Sequence, residues 1–176
     1  SYMKYLYKYP QGRFPYEHLI TANRERSKDE GEFELIDTGS FDEDRYFDVF
    51  VEYAKADTDD ILIKITAENR GPDDAQIHVL PTAWFRNKWV WNGSDPDRGM
   101  WSTRKGVIEM ECGPLGKRFL HCEGAGELLF TENETNNERL FGTANRTAYV
   151  KDGINDHVVG GRPDTVNPNR TGTKAS

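Results

Sequence analysis

The sequence feature that most constrains the fold is a pair of long segments in which apolar side chains recur at every second residue. One segment is YFDVFVEY (residues 46–53) and the other is ILIKITAEN (residues 61–69), with a polar turn sequence between them. A period of two is that of a β-strand, because successive side chains point to opposite sides of a sheet. We therefore predict two antiparallel neighbours with one shared apolar face. The residues predicted to be buried on that face are Phe47, Val49, Val51, Tyr53, Ile61, Ile63 and Ile65.

Further short strands and one helix are predicted along the rest of the chain. In residues 2–10, side chains alternate with a period of two and one face is strongly aromatic, which predicts a strand. Pro15 is followed by apolar residues at helical spacing, which predicts a helix over residues 15–27. The other predicted strands are residues 32–36, 76–81, 84–91, 107–111, 117–121 and 127–131. Many short strands separated by turn residues favour an all-β fold with one short helix, arranged as an antiparallel β-sandwich.

Composition changes near residue 150. The 176 residues suffice for one domain with a substantial core, and we place that domain at residues 1–150. Residues 151–176 are rich in Gly, Pro, Asn and Asp and lack apolar periodicity. We predict that they form an irregular extension.

The charge balance excludes several classes of partner. Acidic residues outnumber lysine and arginine by 30 to 23, which gives a formal net charge of −7, and no segment concentrates positive charge. Nucleic acid and anionic membranes are therefore not expected as partners. The N-terminal residues also lack the apolar core of a signal peptide, so we expect a cytoplasmic protein.

The two cysteines are predicted to be reduced. Cys112 and Cys122 flank a tight turn at residues 113–116, which would place Cys112 near Lys117 and Cys122 near Val107 in a hairpin. The thiols would then lie roughly 17 Å apart along the ladder. A disulfide requires Cα atoms within about 7 Å. Free thiols agree with a reducing compartment.

Several stretches resemble a known family of carbohydrate enzymes. Residues 41–87, from FDEDRYFDVF to HVLPTAWFRN, are similar to the N-terminal non-catalytic domain of bacterial glycoside hydrolase family 63. YMKYLYKYPQ at residues 2–11 and YVKDGINDHVVGG at residues 149–161 resemble the same group, which includes glucosidases acting on mannosyl-oligosaccharide-type substrates. The resemblance covers nearly the whole chain.

This resemblance implies a specific architecture and role. The fold would be a super-sandwich of the galactose mutarotase-like type, docked on a C-terminal (α/α) toroid of the same chain that carries the catalytic acid and base. The parent enzyme would hydrolyse α-glucosidic bonds of an oligosaccharide with inversion. No residue here has a counterpart to the catalytic pair, so we assign no catalytic residue. The alternatives are a stand-alone carbohydrate-binding module and a protein-interaction β-sandwich.

Acidic residues occur in three clusters that could be mistaken for catalytic carboxylates. Glycoside hydrolysis needs two carboxyl groups about 5 to 9.5 Å apart. The clusters at residues 57–60 and 73–74 lie in predicted turns, where aspartate is favoured because it bonds nearby backbone groups. The cluster at residues 42–44 precedes Arg45, which favours a salt-bridged or interfacial role.

The aromatic run at residues 84–91 supplies the candidate carbohydrate contacts. Aromatic platforms stack on sugar faces, and neighbouring Asn, Asp or Arg side chains bind hydroxyl groups. As a strand, this run would place Phe85, Asn87, Trp89 and Trp91 on one face, up to any bulge at residue 90. Trp84, Arg86 and Lys88 would lie on the other face. Packing in the core or at a domain interface competes with sugar contact as an explanation. The candidate contacts are Trp84, Arg86, Asn87, Trp89, Trp91 and Trp101, with Asn92 and Asp95 close by in sequence.

No cofactor or metal is predicted. The four histidines, His18, His78, His121 and His157, show no paired spacing typical of metal ligands. The sequence also contains no glycine-rich phosphate loop and no dinucleotide fingerprint.

Overall fold

The computed structural model describes residues 1–93, 98–111, 113–124 and 126–176. These residues form two compact units, unit 1 (Ser1–Ile77) and unit 2 (His78–Ser176). Within the described residues, ten strands form three antiparallel sheets, and the helices are few and short. The predicted fold class is thus confirmed as far as a mainly antiparallel β protein. None of the described helices is long and apolar enough to span a bilayer.

Unit 1 is built around one three-stranded sheet of long strands. Its order is β1-β2-β3, and both pairings are antiparallel. A helix and two 3₁₀ turns fill the connection between the first two strands. The elements are β1 (Tyr2–Pro10), α1 (Tyr16–Glu25), 3₁₀ turns at Leu35–Thr38 and Asp42–Asp44, β2 (Tyr46–Asp57) and β3 (Asp60–Asn69).

The register of this sheet places all odd-numbered apolar residues on one side. Tyr5 lies opposite Val51, which lies opposite Ile65 on β3. Directly opposed residues share a face, so the predicted pattern of β2 and β3 is confirmed and extends onto β1. We call this side the odd-numbered face. It comprises Met3, Tyr5, Tyr7, Tyr9, Phe47, Val49, Val51, Tyr53, Ile61, Ile63 and Ile65.

Burial on the odd-numbered face is confined largely to the central strand. Phe47 and Val51 are buried, whereas Ile61 and Ile63 on β3 are 62% and 48% exposed. The prediction that these two isoleucines are buried is therefore wrong. The alternation of apolar residues correctly predicted the side of the sheet on which they lie. Burial also requires a second layer packed over that side.

The opposite face of the same sheet carries ion pairs around Asp48. This aspartate is buried, and its carboxylate accepts hydrogen bonds from Lys8 Nζ and Arg70 Nε, both at 2.7 Å. Arg70 also pairs with Glu68 at 3.0 Å. Hydrogen bonds from Lys8 and then from Arg70 hold the pKa of Asp48 below its ordinary value. The carboxylate therefore joins the two edge strands across the central one.

Two strands predicted in the first half of the chain are absent from the structure. Residues 32–36 run into the 3₁₀ turn at Leu35–Thr38, and residues 76–81 form no strand. The predicted helix is confirmed as α1. It is tied to the following segment by Asn23, whose side chain donates to the carbonyl groups of Leu19 and Phe33 and accepts from the Phe33 amide.

Unit 2 is assembled from much shorter strands and helices. One of its sheets has the order β4-β10-β8 and the other β7-β6-β5-β9. The elements are β4 (Ala83–Trp84), α2 (Trp89–Asn92), β5 (Gly99–Arg104), β6 (Val107–Glu111), a 3₁₀ turn at Gly113–Leu115, β7 (Lys117–His121), β8 (Phe130–Thr131), α3 (Asn137–Phe141), α4 (Gly153–Val158), a 3₁₀ turn at Pro163–Thr165, β9 (Thr171–Gly172) and β10 (Lys174–Ala175).

Both sheets of unit 2 contribute to one hydrophobic core. Met100 and Ile108 come from the longer-stranded sheet, and Phe130 and Ala175 come from the other. All four are at most 1% exposed. A smaller cluster of Leu129, Ile154 and Val166 packs α4 against the segment leading into β8.

The C-terminal residues take part in both sheets of unit 2. β9 pairs with β5, and two residues later β10 pairs with β4 and β8. A Cβ atom at Gly172 would lie 2.3 Å from the carbonyl oxygen of Thr131, so this close approach of two strands requires glycine. Residues 151–176 thus contain α4, β9 and β10 rather than an irregular extension throughout. The division at residue 150 stays a prediction.

The predicted hairpin around the cysteines is confirmed. Val107 pairs with His121, and the Cys122 amide donates to the Gly106 carbonyl at 2.8 Å, one residue from the predicted register. Cys122 is a free thiol, as predicted, and it packs against the core of unit 2. Cys112 lies outside the described residues, so the predicted distance between the two thiols stays a prediction.

Candidate functional site

The predicted strand at residues 84–91 is only partly formed. β4 ends at Trp84, and helix α2 begins at Trp89. The alternation still holds through Phe85 and Trp89, which are both buried in the core of unit 2. From Trp89 the chain is helical rather than extended, and Trp91 is 73% exposed, so the shared face predicted for a strand without a bulge at residue 90 does not extend to Trp91.

Trp89 is a core residue with a satisfied polar atom. Its indole Nε1 donates to Glu134 Oε1 at 3.2 Å, and Glu134 is itself buried. Arg146 approaches the same carboxylate oxygen at 3.8 Å. Core packing, the competing explanation for the tryptophans, therefore applies to Trp89.

Trp84 lies on the side of its sheet that faces away from the core. It is 58% exposed and pairs with Lys174 on β10. Burial and then the charge of Lys151 lower the pKa of Lys174, whose ammonium donates to the Lys151 carbonyl at 2.6 Å.

Trp101 on β5 is half-buried, on the face opposite the buried Met100.

The polar candidates beside the tryptophans differ in burial and in the hydrogen bonds that they form. Asn87 is half-buried, donates to the Asn133 carbonyl at 2.8 Å and accepts from the Val90 amide at 3.3 Å. Arg86 is exposed. Asn92 follows in α2, and Asp95 lies outside the described residues. The six candidates are therefore spread over core and surface positions of unit 2.

The acidic clusters at residues 42–44, 57–60 and 73–74 have the local roles expected of them. Arg45 pairs with Glu43 at 3.0 Å and with Asp73 at 2.9 Å, and Asp57 accepts the Thr58 amide. Glu43 and its neighbour Asp44 both have positive φ angles, near 56°. A positive φ is uncommon for residues other than glycine, and aspartate is one of the residues that tolerate it best.

A second polar region lies between α3 and the C-terminal end of α4. Asn136 caps α3 by accepting the Arg139 amide at 3.0 Å, and Asn145 accepts the amides of Asn137 and Glu138. These bonds close residues 136–145 into a compact loop. The same loop is anchored to the start of α4, because Asn136 donates to both carboxylate oxygens of Asp152.

Alternating arginines and aspartates connect this loop to the segment after α4. Arg139 contacts Asp152 at 2.7 Å and Asp156 at 3.7 Å, while Arg162 contacts Asp156 at 3.7 Å and Asp164 at 3.4 Å. Partial burial tends to raise the pKa of Asp152, but hydrogen bonds from Arg139 and Asn136 outweigh it and hold the pKa below its ordinary value.

Two adjoining clefts open along this network. Their volumes are about 610 and 340 Å³, and both are broadly open to solvent and lined mainly by polar groups. They share part of their lining. The shared residues are Glu138, Asn145, Ala148, Arg162 and Thr165.

The residues that line these clefts were not among the predicted site residues. Arg139, Asp156 and Arg162 are separated in sequence and belong to no recognised motif. The density of asparagine and charge in ENETNNER was the available signal. Among the described residues there is no group of three histidine, cysteine or acidic side chains placed to hold a metal ion.

Comparison with known proteins identifies one informative relative. No family model and no solved structure matches the chain significantly. An uncharacterized protein of Saccharomyces cerevisiae, YMR196W, is 32% identical over 211 aligned residues that include 99% of this chain. The chain spans about a fifth (19%) of the length of that curated relative.

Proposed function

We propose that the chain is the non-catalytic N-terminal domain of an oligosaccharide α-glucosidase-like enzyme resembling bacterial glycoside hydrolase family 63. Its role would be to support or shape the substrate site of a separate (α/α) toroid catalytic domain. The observation that carries the proposal is the odd-numbered face of unit 1, an apolar sheet surface that is largely exposed.

Covering the odd-numbered face would be energetically favourable. On the two edge strands, Met3, Tyr5, Ile61 and Ile63 are each about half exposed or more. Burying apolar surface gains about 25 cal/mol per Å². A contiguous apolar patch of this kind marks an interaction surface. A second layer from the same polypeptide would supply the burial that unit 1 lacks.

The same surface supports the finer fold proposed for the chain. In a super-sandwich of the galactose mutarotase-like type, the odd-numbered face would be an inner face and the Asp48 face an outer one. Sequence similarity to a much longer protein supports a multidomain parent, since the chain matches 19% of that protein. The free thiol of Cys122 supports a reducing, cytoplasmic setting.

The first test is a turnover assay on α-glucoside oligosaccharides. The full-length parent should hydrolyse them, and the 176-residue chain should show no measurable turnover. Displacing an acid or base by about 1 Å can cost on the order of a hundredfold. The controls are Asp42→Asn and Asp44→Asn. Activity of the chain that either variant abolishes would contradict a non-catalytic role, and an inactive parent would contradict the glucosidase assignment.

The second test addresses the proposed inner face. Ile63→Lys should leave the isolated chain folded, because this side chain is half exposed, yet should destabilise the full-length protein by burying a charge. Leu62→Lys is the matched control, since Leu62 is similarly exposed at 58% but lies on the other face. Equal melting temperatures of the two full-length variants would contradict the docking role.

A stand-alone carbohydrate-binding module is the second candidate, favoured by the exposed indoles of Trp84 and Trp91. Such a module would bind oligosaccharides without further domains, and Trp84→Ala or Trp91→Ala would abolish that binding. A full reading frame that encodes no helical domain would favour this candidate over the first. A protein-interaction module is distinguished by the absence of sugar binding.

A further inference from the structure

We infer that the paired clefts of unit 2, lined by residues 136–165, form a binding site for a neutral polyhydroxylated ligand, of the class of a short oligosaccharide. The inference rests on the proposed function only for the choice of a glucose-based ligand. It places sugar contact away from the exposed tryptophans.

The charge balance of the clefts argues for a neutral ligand. Among the described residues, their combined lining contains three arginines and three carboxylates. Arg139 and Arg162 are both held between aspartates, and Arg146 approaches Glu134. An anion or a cation would have to displace one of these partners. A neutral ligand can bind to both members of a pair.

The remaining hydrogen-bonding capacity suits vicinal hydroxyl groups. Arg162 Nη2 donates one long hydrogen bond to Asp164 at 3.4 Å, and its Nη1 lies 3.7 Å from Asp156, beyond the usual N–H···O length of 2.7–3.2 Å. Its planar guanidinium carries five N–H donors in fixed directions. Exposed Glu138 supplies acceptors in both clefts, and exposed Asp164 supplies acceptors in the larger one. Adjacent donors and acceptors match a sugar diol, whose hydroxyl groups both donate and accept.

The rigidity of the clefts supports recognition. The loop at residues 136–145 is closed by the side chains of Asn136 and Asn145, and Asp152 fixes it to α4. Thr165 donates to the carbonyl groups of Gly153 and Arg162, which holds the opposite wall. A site ordered before binding loses less conformational entropy when the ligand arrives.

The test is a titration of the 176-residue chain with maltotriose, followed by ¹H–¹⁵N NMR. Amide shifts should appear at residues 138–148 and 162–165. Arg162→Ala should weaken binding about tenfold, the equivalent of one good hydrogen bond to a charged group. Asp156 retains Arg139 in this variant, so the fold should persist. Asp164→Asn is a second, milder variant of the same site and should also weaken binding.

Matched controls locate the site. Arg13→Ala removes an exposed arginine in unit 1 and should leave the affinity unchanged, as should Trp84→Ala and Trp91→Ala. The inference is overturned if no amide shifts at millimolar maltotriose, if the shifts map to the tryptophans, if Arg162→Ala binds normally, or if inorganic phosphate shifts the cleft amides more strongly than the sugar. Turnover by the parent enzyme is measured separately, so the proposed function can fail while cleft binding persists.

Discussion

Unit 1 has long, regularly hydrogen-bonded strands but little burial, whereas unit 2 has short strands and a well-buried core. Unit 1 has strands of 9, 12 and 10 residues, yet its odd-numbered face is open at both edges. The strands of unit 2 are two to six residues long, yet Phe130 and Ile108 are fully buried. Long ladders are therefore not what produces a core. Unit 2 buries its side chains by bringing distant segments together, whereas the long strands of unit 1 leave apolar side chains on both edge strands exposed.

The largest expected effect comes from the core of unit 2. Phe130→Ala should lower the free energy of unfolding by about 3 to 5 kcal/mol, through lost burial and a residual cavity. Ile63→Ala in unit 1 should cost less than about 1 kcal/mol. Tryptophan emission during urea denaturation reports on unit 2, because all four tryptophans lie there. Amide hydrogen exchange in β2 and β3 reports on unit 1.

Phe130→Leu provides a graded control in case the alanine variant does not fold. It keeps an apolar side chain and should cost about 1 kcal/mol. If Ile63→Ala proves as destabilising as Phe130→Ala, the contrast between the units is wrong and the odd-numbered face is already covered in the isolated chain.

The next effect tests close strand approach. Gly172→Ala should destabilise unit 2 by about 1 to 3 kcal/mol, because its Cβ would meet the Thr131 carbonyl. Gly126→Ala is the control in the same unit, since a Cβ there meets no atom within 4 Å. Comparable urea midpoints for the two variants would show that the C-terminal strands do not pack as described.

A smaller effect is expected at Asp48. Asp48→Asn should weaken unit 1 by about 1 to 2 kcal/mol at neutral pH, since two half-exposed cations lose their partner. The folded pKa of Asp48 is lowered, so its contribution is present above the unfolded value of about 4 and is lost as the pH falls through the folded value. Hydrogen exchange of β1 to β3 should therefore separate wild type from variant at neutral pH and converge in acid.

Asp74→Asn is the control for this measurement, because it removes an exposed turn carboxylate of the same unit. A difference between wild type and Asp48→Asn that grows in acid would reverse the assigned direction of the pKa.

The smallest effect concerns chemical reactivity. Burial raises the pKa of the Cys122 thiol, so less thiolate is present at neutral pH than in free cysteine. In a Cys112→Ser background, alkylation by iodoacetamide should be several-fold slower than for free cysteine at about pH 8. It should approach the free rate once urea unfolds unit 2. Full reactivity of the folded chain would show that unit 2 opens readily at this strand.

The sequence predicts the regular parts of unit 1 well, because local alternation and turn residues determine them. β1, β2, β3 and α1 all follow from such patterns, as does the hairpin of β6 and β7. The strands of residues 171–176 could not be predicted in this way. Each is two residues long, and their pairing partners lie far away along the chain.

The candidate site was harder to predict than the fold. The aromatic residues at 84–91 predicted candidate carbohydrate contacts. Whether each indole faces solvent, however, depends on where a strand ends and a helix begins. Trp89 and Trp91 illustrate this, since two positions separate a buried indole from an exposed one. The clefts are formed by paired charges whose proximity arises only from tertiary structure.

The arrangement β4-β10-β8 also has a consequence for synthesis on the ribosome. β4 and β8 are synthesised before β10. They form no backbone pairing with each other, because β10 lies between them in the sheet. A polypeptide emerging from its N-terminus can form the local β2–β3 hairpin early. The sheet that contains Phe130 is completed only after Lys174–Ala175 has left the exit tunnel. Until then β4 and β8 lack their shared strand partner, and unpaired strand edges of this kind favour aggregation.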